Sequence, residues 1–171
     1  MPHVKSFAPI ENADAKILIL GSMPGEASLK AGQYYAHPRN LFWRIMGELV
    51  GANPDLPYSQ RTEALKSARI ALWDVLRSCR RKGSLDSAID GGSLVPNDFA
   101  AFFLLHPQIT RIFFNGAKAE ECYRRHVLPG IGTDSIECLR LPSTSPANAS
   151  TSFERKLEAW RAITKCLAKT H

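Results

Sequence analysis

The chain has 171 residues, 44% of them hydrophobic and 22% charged, which excludes a disordered or fibrous chain and suffices for a buried core without disulfides or a structural metal. Lys and Arg outnumber Asp and Glu by 22 to 16, a net charge of +6 that favours a polyanionic partner such as nucleic acid without requiring one. No secretory segment or bilayer-length apolar run is present, and Cys79, Cys122, Cys138 and Cys166 include no C-x-x-C pair, so a reduced, cytoplasmic protein without a zinc ribbon or iron–sulfur cluster is expected.

Residues 1–12 read as an N-terminal arm, docked or loose. The run Ile17-Leu18-Ile19-Leu20, closed by Gly-Ser-Met-Pro-Gly, reads as a buried strand over residues 16–21 ending in a tight turn. Leu41, Ile45 and Leu49 then recur at helical spacing after Pro38. A second strand is expected over 69–74. A helix over 99–105 follows Pro96-Asn97-Asp98, where a cap is expected. A third strand over 111–115 leads through Asn115-Gly116 into a helix over 117–127, which ends before Pro129-Gly130. The fourth strand spans 136–141. The last helix, 151–169, carries Phe153, Leu157, Trp160 and Ile163 on one face. Strands alternating with helices imply an α/β fold with a mostly parallel sheet covered on both faces. No domain boundary is visible, so residues 1–171 are expected to form one domain.

The segment from Gly21 to Trp43 has a pocket-building composition: glycines, two tyrosines and a His-Pro-Arg-Asn tetrad. In an open α/β sheet, ligands bind at the carboxyl ends of the strands, where this segment begins. It matches neither the P-loop nor the dinucleotide fingerprint, and no H-E-x-x-H or G-x-S-x-G motif occurs. Kinase, nucleotide-triphosphatase and zinc-protease functions are thereby disfavoured.

The motifs GSMPG, YYAHPRNLFW and LPSTSPANAS, in this order and at these distances, resemble the uracil-DNA glycosylase superfamily, and most nearly its hypoxanthine-DNA glycosylase (deoxyinosine glycosylase) branch. The resemblance spans nearly the whole chain. It implies a three-layer α/β/α sandwich around a four-stranded, mostly parallel sheet. It implies hydrolysis of the N-glycosidic bond of a deaminated base, hypoxanthine and also xanthine, flipped out of double-stranded DNA, leaving an abasic site. No metal or cofactor is implied, and a monomer with no membrane association is expected. Two alternatives stay open: a uracil or mismatch-specific glycosylase, and a catalytically silent protein that binds damaged DNA.

Cleavage of the bond builds an oxocarbenium-like sugar and an anionic base, so a water must be positioned and the leaving base stabilised. Asn40 is the candidate for the water. On residue chemistry alone a cap at the helix start is the stronger reading; the resemblance reverses that preference towards catalysis. Alignment of GSMPG with the related G-I-N-P-G places Met23 where relatives carry a water-orienting Asn or Asp. Methionine cannot orient water, so either Asn40 has taken over or activity is lost.

Ser22, Met23, Pro24 and Gly25 are expected in the base pocket, with the backbone N–H groups around Met23 to Gly25 facing the developing oxyanion. The family pattern makes Tyr35 the stacking residue and Tyr34 a lining residue, with core packing the alternative for both. Asp74 is expected to read the base edge: an ionised carboxylate accepts from N1–H of hypoxanthine and repels the N1 acceptor of adenine. Its alternative is a turn cap. Arg77, together with Arg80, Arg81 and Lys82, reads as a basic loop for phosphates, and Lys118 and His37 as further DNA contacts. The resemblance casts Ser143 and Ser145 on phosphates and Pro146, Ala147 and Asn148 as the filler of the hole left by the flipped base. No large apolar wedge is present in that loop. No lysine falls in these motifs, so a glycosylase without lyase activity is expected.

Overall fold

The computed structural model describes residues 2–132 and 135–169. Met1 of the expected arm lies outside the described residues. In chain order the elements are β1 (His3–Lys5), β2 (Ile17–Gly21), α1 (Glu26–Ala31), α2 (Phe42–Val50), α3 (Tyr58–Ser67), β3 (Ile70–Asp74), β4 (Leu76–Arg80), β5 (Val95–Pro96), α4 (Phe99–Leu105), β6 (Arg111–Asn115), α5 (Ala117–His126), α6 (Leu128–Ile131), β7 (Glu137–Leu141), α7 (Phe153–Trp160) and α8 (Ala162–Ala168).

Strands β3, β2, β6 and β7 pair in that order as an all-parallel, four-stranded sheet. All five residues of β2 are buried, as its unbroken apolar run requires of a strand covered on both faces. The period of two along the strands divides the core. Leu18, Leu20, Ala71 and Trp73 pack with Phe99 and Phe102 of α4 and Cys122 and Tyr123 of α5. Ile17, Ile19, Ile70 and Leu72 pack with Ile45 and Met46 of α2, Leu65 of α3, Trp160 of α7 and Ile163 of α8. Two helical layers therefore enclose one sheet, the expected three-layer α/β/α sandwich.

The arm takes one of its two expected forms, and several other features depart from the expectations. The arm is docked: Ile10 and Leu72 exchange two backbone hydrogen bonds of 2.9 Å, and β1 pairs antiparallel with β4. The basic stretch expected as a loop begins instead as β4, the middle strand of a small sheet ordered β1-β4-β5. Helix α3 escapes periodicity because Leu65 is its one buried residue. The single helix expected over 151–169 breaks at Arg161 into α7 and α8, which leaves both Trp160 and Ile163 in the core.

The parallel sheet brings Gly21, Asp74, Asn115 and Leu141 to one edge. Past it the ladder continues briefly, with Val75 N donating to Gly21 O and Leu76 N to Ser22 O. The motif-bearing loops all leave from this carboxyl edge.

Candidate active site

Gly21 ends the central strand and forms the floor of the site. A Cβ at this position would lie 2.5 Å from Asp74 Oδ1 and 2.7 Å from Tyr35 Oη. Only a residue without a side chain lets the carboxyl and the phenol converge over the strand end. Tyr35 packs against Phe42 with ring centroids 4.2 Å apart and the ring planes tilted by 31°. It is a non-glycine residue in the left-handed region, at φ 54°. The turn is held by its neighbours: Tyr34 N donates to Tyr58 Oη at 3.1 Å and Ala36 N to Ser28 Oγ at 3.1 Å.

Two polar atoms of this floor, Asp74 Oδ2 and Tyr35 Oη, are buried without a hydrogen-bond partner. The Asn115 side chain is close enough to favour the Tyr35 phenolate slightly, although no good hydrogen-bond geometry joins them. Burial dominates and pushes the phenol up. Unpaired buried polar atoms are costly and call for an explanation. Burial, then the nearby Asp86 carboxylate, pushes the Asp74 carboxyl up to about 7 against the opposing pull of Arg81. Asp74 thus sits near half-protonation at neutral pH rather than fully ionised as expected.

Asp86, Arg81 and Ser84 join the site from the segment after β4; sequence reading gave Asp86 and Ser84 no role. Ser22 Oγ donates to Asp86 Oδ1 at 2.5 Å. Partial desolvation of its carboxyl, in a residue otherwise open to solvent, raises Asp86, while Ser22, Arg81 and Lys118 oppose the shift. Arg81 is 1% exposed, and its guanidinium donates to Gly83 O at 2.8 Å and Pro24 O at 2.5 Å. Arg81 is therefore an internal clamp and not a phosphate-facing cation. Long-range fastening of this kind has no local sequence signal.

Asn40 Oδ1 accepts from Phe42 N at 2.9 Å and so fastens the start of α2. The next residue, Leu41, donates its N–H to Thr144 O at 3.0 Å. Thr144 is 1% exposed and pairs twice with Asn115: its N–H donates to Asn115 Oδ1 at 2.9 Å, and Asn115 Nδ2 donates to its hydroxyl at 3.0 Å. The two motif loops are thereby locked together over β6. Gly116 allows the approach, since a Cβ there would lie 3.0 Å from Ser143 Cβ.

Within the second loop the serines fasten the backbone. Ser143 Oγ accepts from Ser145 N, Ser145 Oγ from Ala147 N, and Asn148 Nδ2 donates to Ser143 O. Lys156, 1% exposed and lowered by desolvation, supports the loop from below by donating to Asn148 O at 2.7 Å. Ala147 is exposed and Pro146 half-buried at the tip.

Other expected pocket residues lie elsewhere. Tyr34 is turned into the core, with its hydroxyl on Ala8 O and its carbonyl accepting from the Trp43 indole, so it does not line the pocket. Met23 is 7% exposed and packs in the core behind the sheet. Pro24 has no N–H to offer, and its carbonyl is taken by Arg81. Gly25 lies against Ser84. His37 Nδ1 accepts from Arg39 N within its own turn. Arg77 is on the exposed face of β4, lining a surface depression with Lys5, Ser6, Ser78 and Val95. Lys118 stands in the first turn of α5, its Nζ 3.9 Å from Glu121.

An acidic side chain, an aromatic ring and a nearby amide gathered at the strand ends of an α/β sheet suit the recognition of a planar polar ring. The sequence profile of the uracil DNA glycosylase superfamily matches residues 8–164. A protein of Methanosarcina acetivorans named hypoxanthine DNA glycosylase is 39% identical over 160 residues, covering 93% of this chain and 96% of its own length. Its namesake in Methanosarcina barkeri is 36% identical over 153 residues, covering 89% and 92%. A solution NMR structure from Methanosarcina acetivorans, described as a candidate uracil DNA glycosylase, superposes with a TM-score of 0.80 at 38% identity, covering 98% of this chain and 99% of that one. The chain belongs to the uracil DNA glycosylase superfamily.

Proposed function

We propose that this chain acts as one domain, a monomeric and cytoplasmic DNA glycosylase that removes hypoxanthine from double-stranded DNA and leaves an abasic site. The observation that carries the reading is the pair of buried, unpaired atoms Asp74 Oδ2 and Tyr35 Oη, on the two side chains that converge over Gly21. They are polar groups waiting for a polar ring. An ionised Asp74 accepts from the N1–H of hypoxanthine, and Tyr35 offers its ring face to the flipped base. The relatives named hypoxanthine DNA glycosylase support the choice of base.

Asn40 positions the attacking water. A carbonyl oxygen has two lone pairs, so the bond from Phe42 fixes the amide and leaves capacity for the water. The oxocarbenium-like sugar is electrophilic, so the water needs placement more than deprotonation. Loop 143–148 and Lys118 contact the DNA backbone. Among the described residues, no helix is long and apolar enough to cross a membrane.

A second reading has its own observation. Met23 lies in the core, so the first motif brings no amide to the water, which motivates a protein that binds damage without cutting. Duplexes carrying one hypoxanthine, xanthine or uracil, treated with alkali after incubation, separate the readings. Cleavage of the deoxyinosine duplex, lost in Asn40→Ala, is expected. Preferred cleavage of uracil overturns the substrate, and tight binding without cleavage selects the silent reader.

A further inference from the structure

Leu85 is 55% exposed and stands between two residues fastened to the first motif. On one side, Ser84 Oγ accepts from Glu26 N at 2.8 Å; on the other, Asp86 accepts from Ser22 Oγ at 2.5 Å. Upstream, the buried Arg81 guanidinium bridges Gly83 O and Pro24 O. Downstream, the single turn Asp86–Ala88 leads to Ile89, which is 8% exposed in the core. Leu85 itself is extended, at φ −75° and ψ 136°.

A lone exposed leucine is ordinary. One held on both sides by hydrogen bonds to a pocket loop is already ordered, so presenting its side chain to a partner costs little further entropy. The opposite wall lacks such a group: between residues 143 and 148 the apolar side chains are Pro146 and Ala147. Sheet order β3-β2-β6-β7 sets Leu85, fastened to the loop after β2, apart from the loop after β7 along the carboxyl edge. Lys82 is exposed nearby and Lys118 is close enough to act on Asp86.

We propose that Leu85 is the apolar wedge of this protein, entering the base stack beside the flipped nucleotide. The inference rests on the glycosylase reading above. A side chain that unstacks a step and fills the vacated space raises the population of the flipped state. In a single strand there is no duplex stack to hold open, so the same side chain contributes little there.

The test compares wild type, Leu85→Ala and Leu85→Met on deoxyinosine in duplex and in single-stranded DNA. A 2-aminopurine beside the lesion reports unstacking. Leu85→Ala is expected to cut the duplex at least tenfold more slowly, to change single-strand cleavage less than twofold, and to lose most of the fluorescence rise on binding. Leu85→Met keeps the apolar volume and is expected within about threefold of wild type. Equal loss on both substrates, or no loss on duplex, overturns the wedge while the glycosylase reading stands. A wild type that cuts neither deoxyinosine substrate removes that reading and the wedge with it.

Discussion

Replacing Asp74 by Asn tests the acidic floor through stability alone, with no substrate needed. In the folded protein this carboxyl sits at about 7 against an ordinary value of 3.8. The native state therefore holds the proton more tightly than the unfolded chain, and stability must fall as pH rises between those two values. At about 1.4 kcal/mol per pH unit, the penalty reaches roughly 4 kcal/mol by pH 7 and changes little further above pH 8. Between pH 5 and 8 the wild type should lose roughly 2–3 kcal/mol from this group. Asn has nearly the same shape and does not titrate. The raised Asp86 carboxyl contributes with the same sign, but it is present in both proteins and largely cancels in the difference. Urea unfolding of both proteins at pH 5, 6, 7 and 8 gives the two slopes. Asp74→Asn should be the more stable protein at pH 8, and the gap should close towards pH 5. Parallel curves would show that Asp74 ionises freely in the folded state, and the argument from its burial would fail.

Other outcomes follow from the same geometry. With Asp74 reading N1–H in its ionised form, single-turnover cleavage of deoxyinosine should rise with pH through about 7 and level off above it; a rate that falls over this range rejects that role. Asn40→Ala should lower the cleavage rate by about a hundredfold or more. It should also cost about 1 kcal/mol in urea unfolding, because Phe42 N loses its acceptor; full activity would return the water to another group. Gly21→Ala forces Asp74 and Tyr35 apart, so activity should be lost with about 1–3 kcal/mol of stability, and an active Ala variant would refute the crowded floor. Thr144→Val leaves Asn115 Nδ2 buried without its acceptor and should cost about 1–3 kcal/mol, restored by Thr144→Ser in the same unfolding assay.

Strands β2, β3 and β6 of the large sheet were legible because each is a short, mostly apolar run buried in the sheet, a pattern that needs no partner to be seen, whereas β7 is a largely exposed edge strand that includes Glu137 and Arg140. The small sheet was not legible, since β1 has three residues and β4 is rich in arginine and pairs across more than seventy positions of sequence. Charged side chains are usually solvated, so Arg81 read as a surface cation; its burial depends on the carbonyls of Pro24 and Gly83, which only the folded chain assembles. Asp86 escaped for the same reason, being 64 residues from Ser22. Tyr34 and Tyr35 are chemically identical neighbours, and what separates them is one backbone torsion. Of the two readings of Asn40, the cap is the one the geometry shows, since its amide oxygen fastens the start of α2.

That torsion at Tyr35 has an evolutionary consequence. A tyrosine in the left-handed region carries roughly 1–2 kcal/mol of strain that glycine there would not. The ring also packs against Phe42, and losing that contact would cost more than the strain, so selection for heat resistance alone would keep an aromatic at position 35 despite its torsion. A library of this chain sorted for thermal survival should therefore retain Tyr or Phe at position 35 rather than drift to Gly.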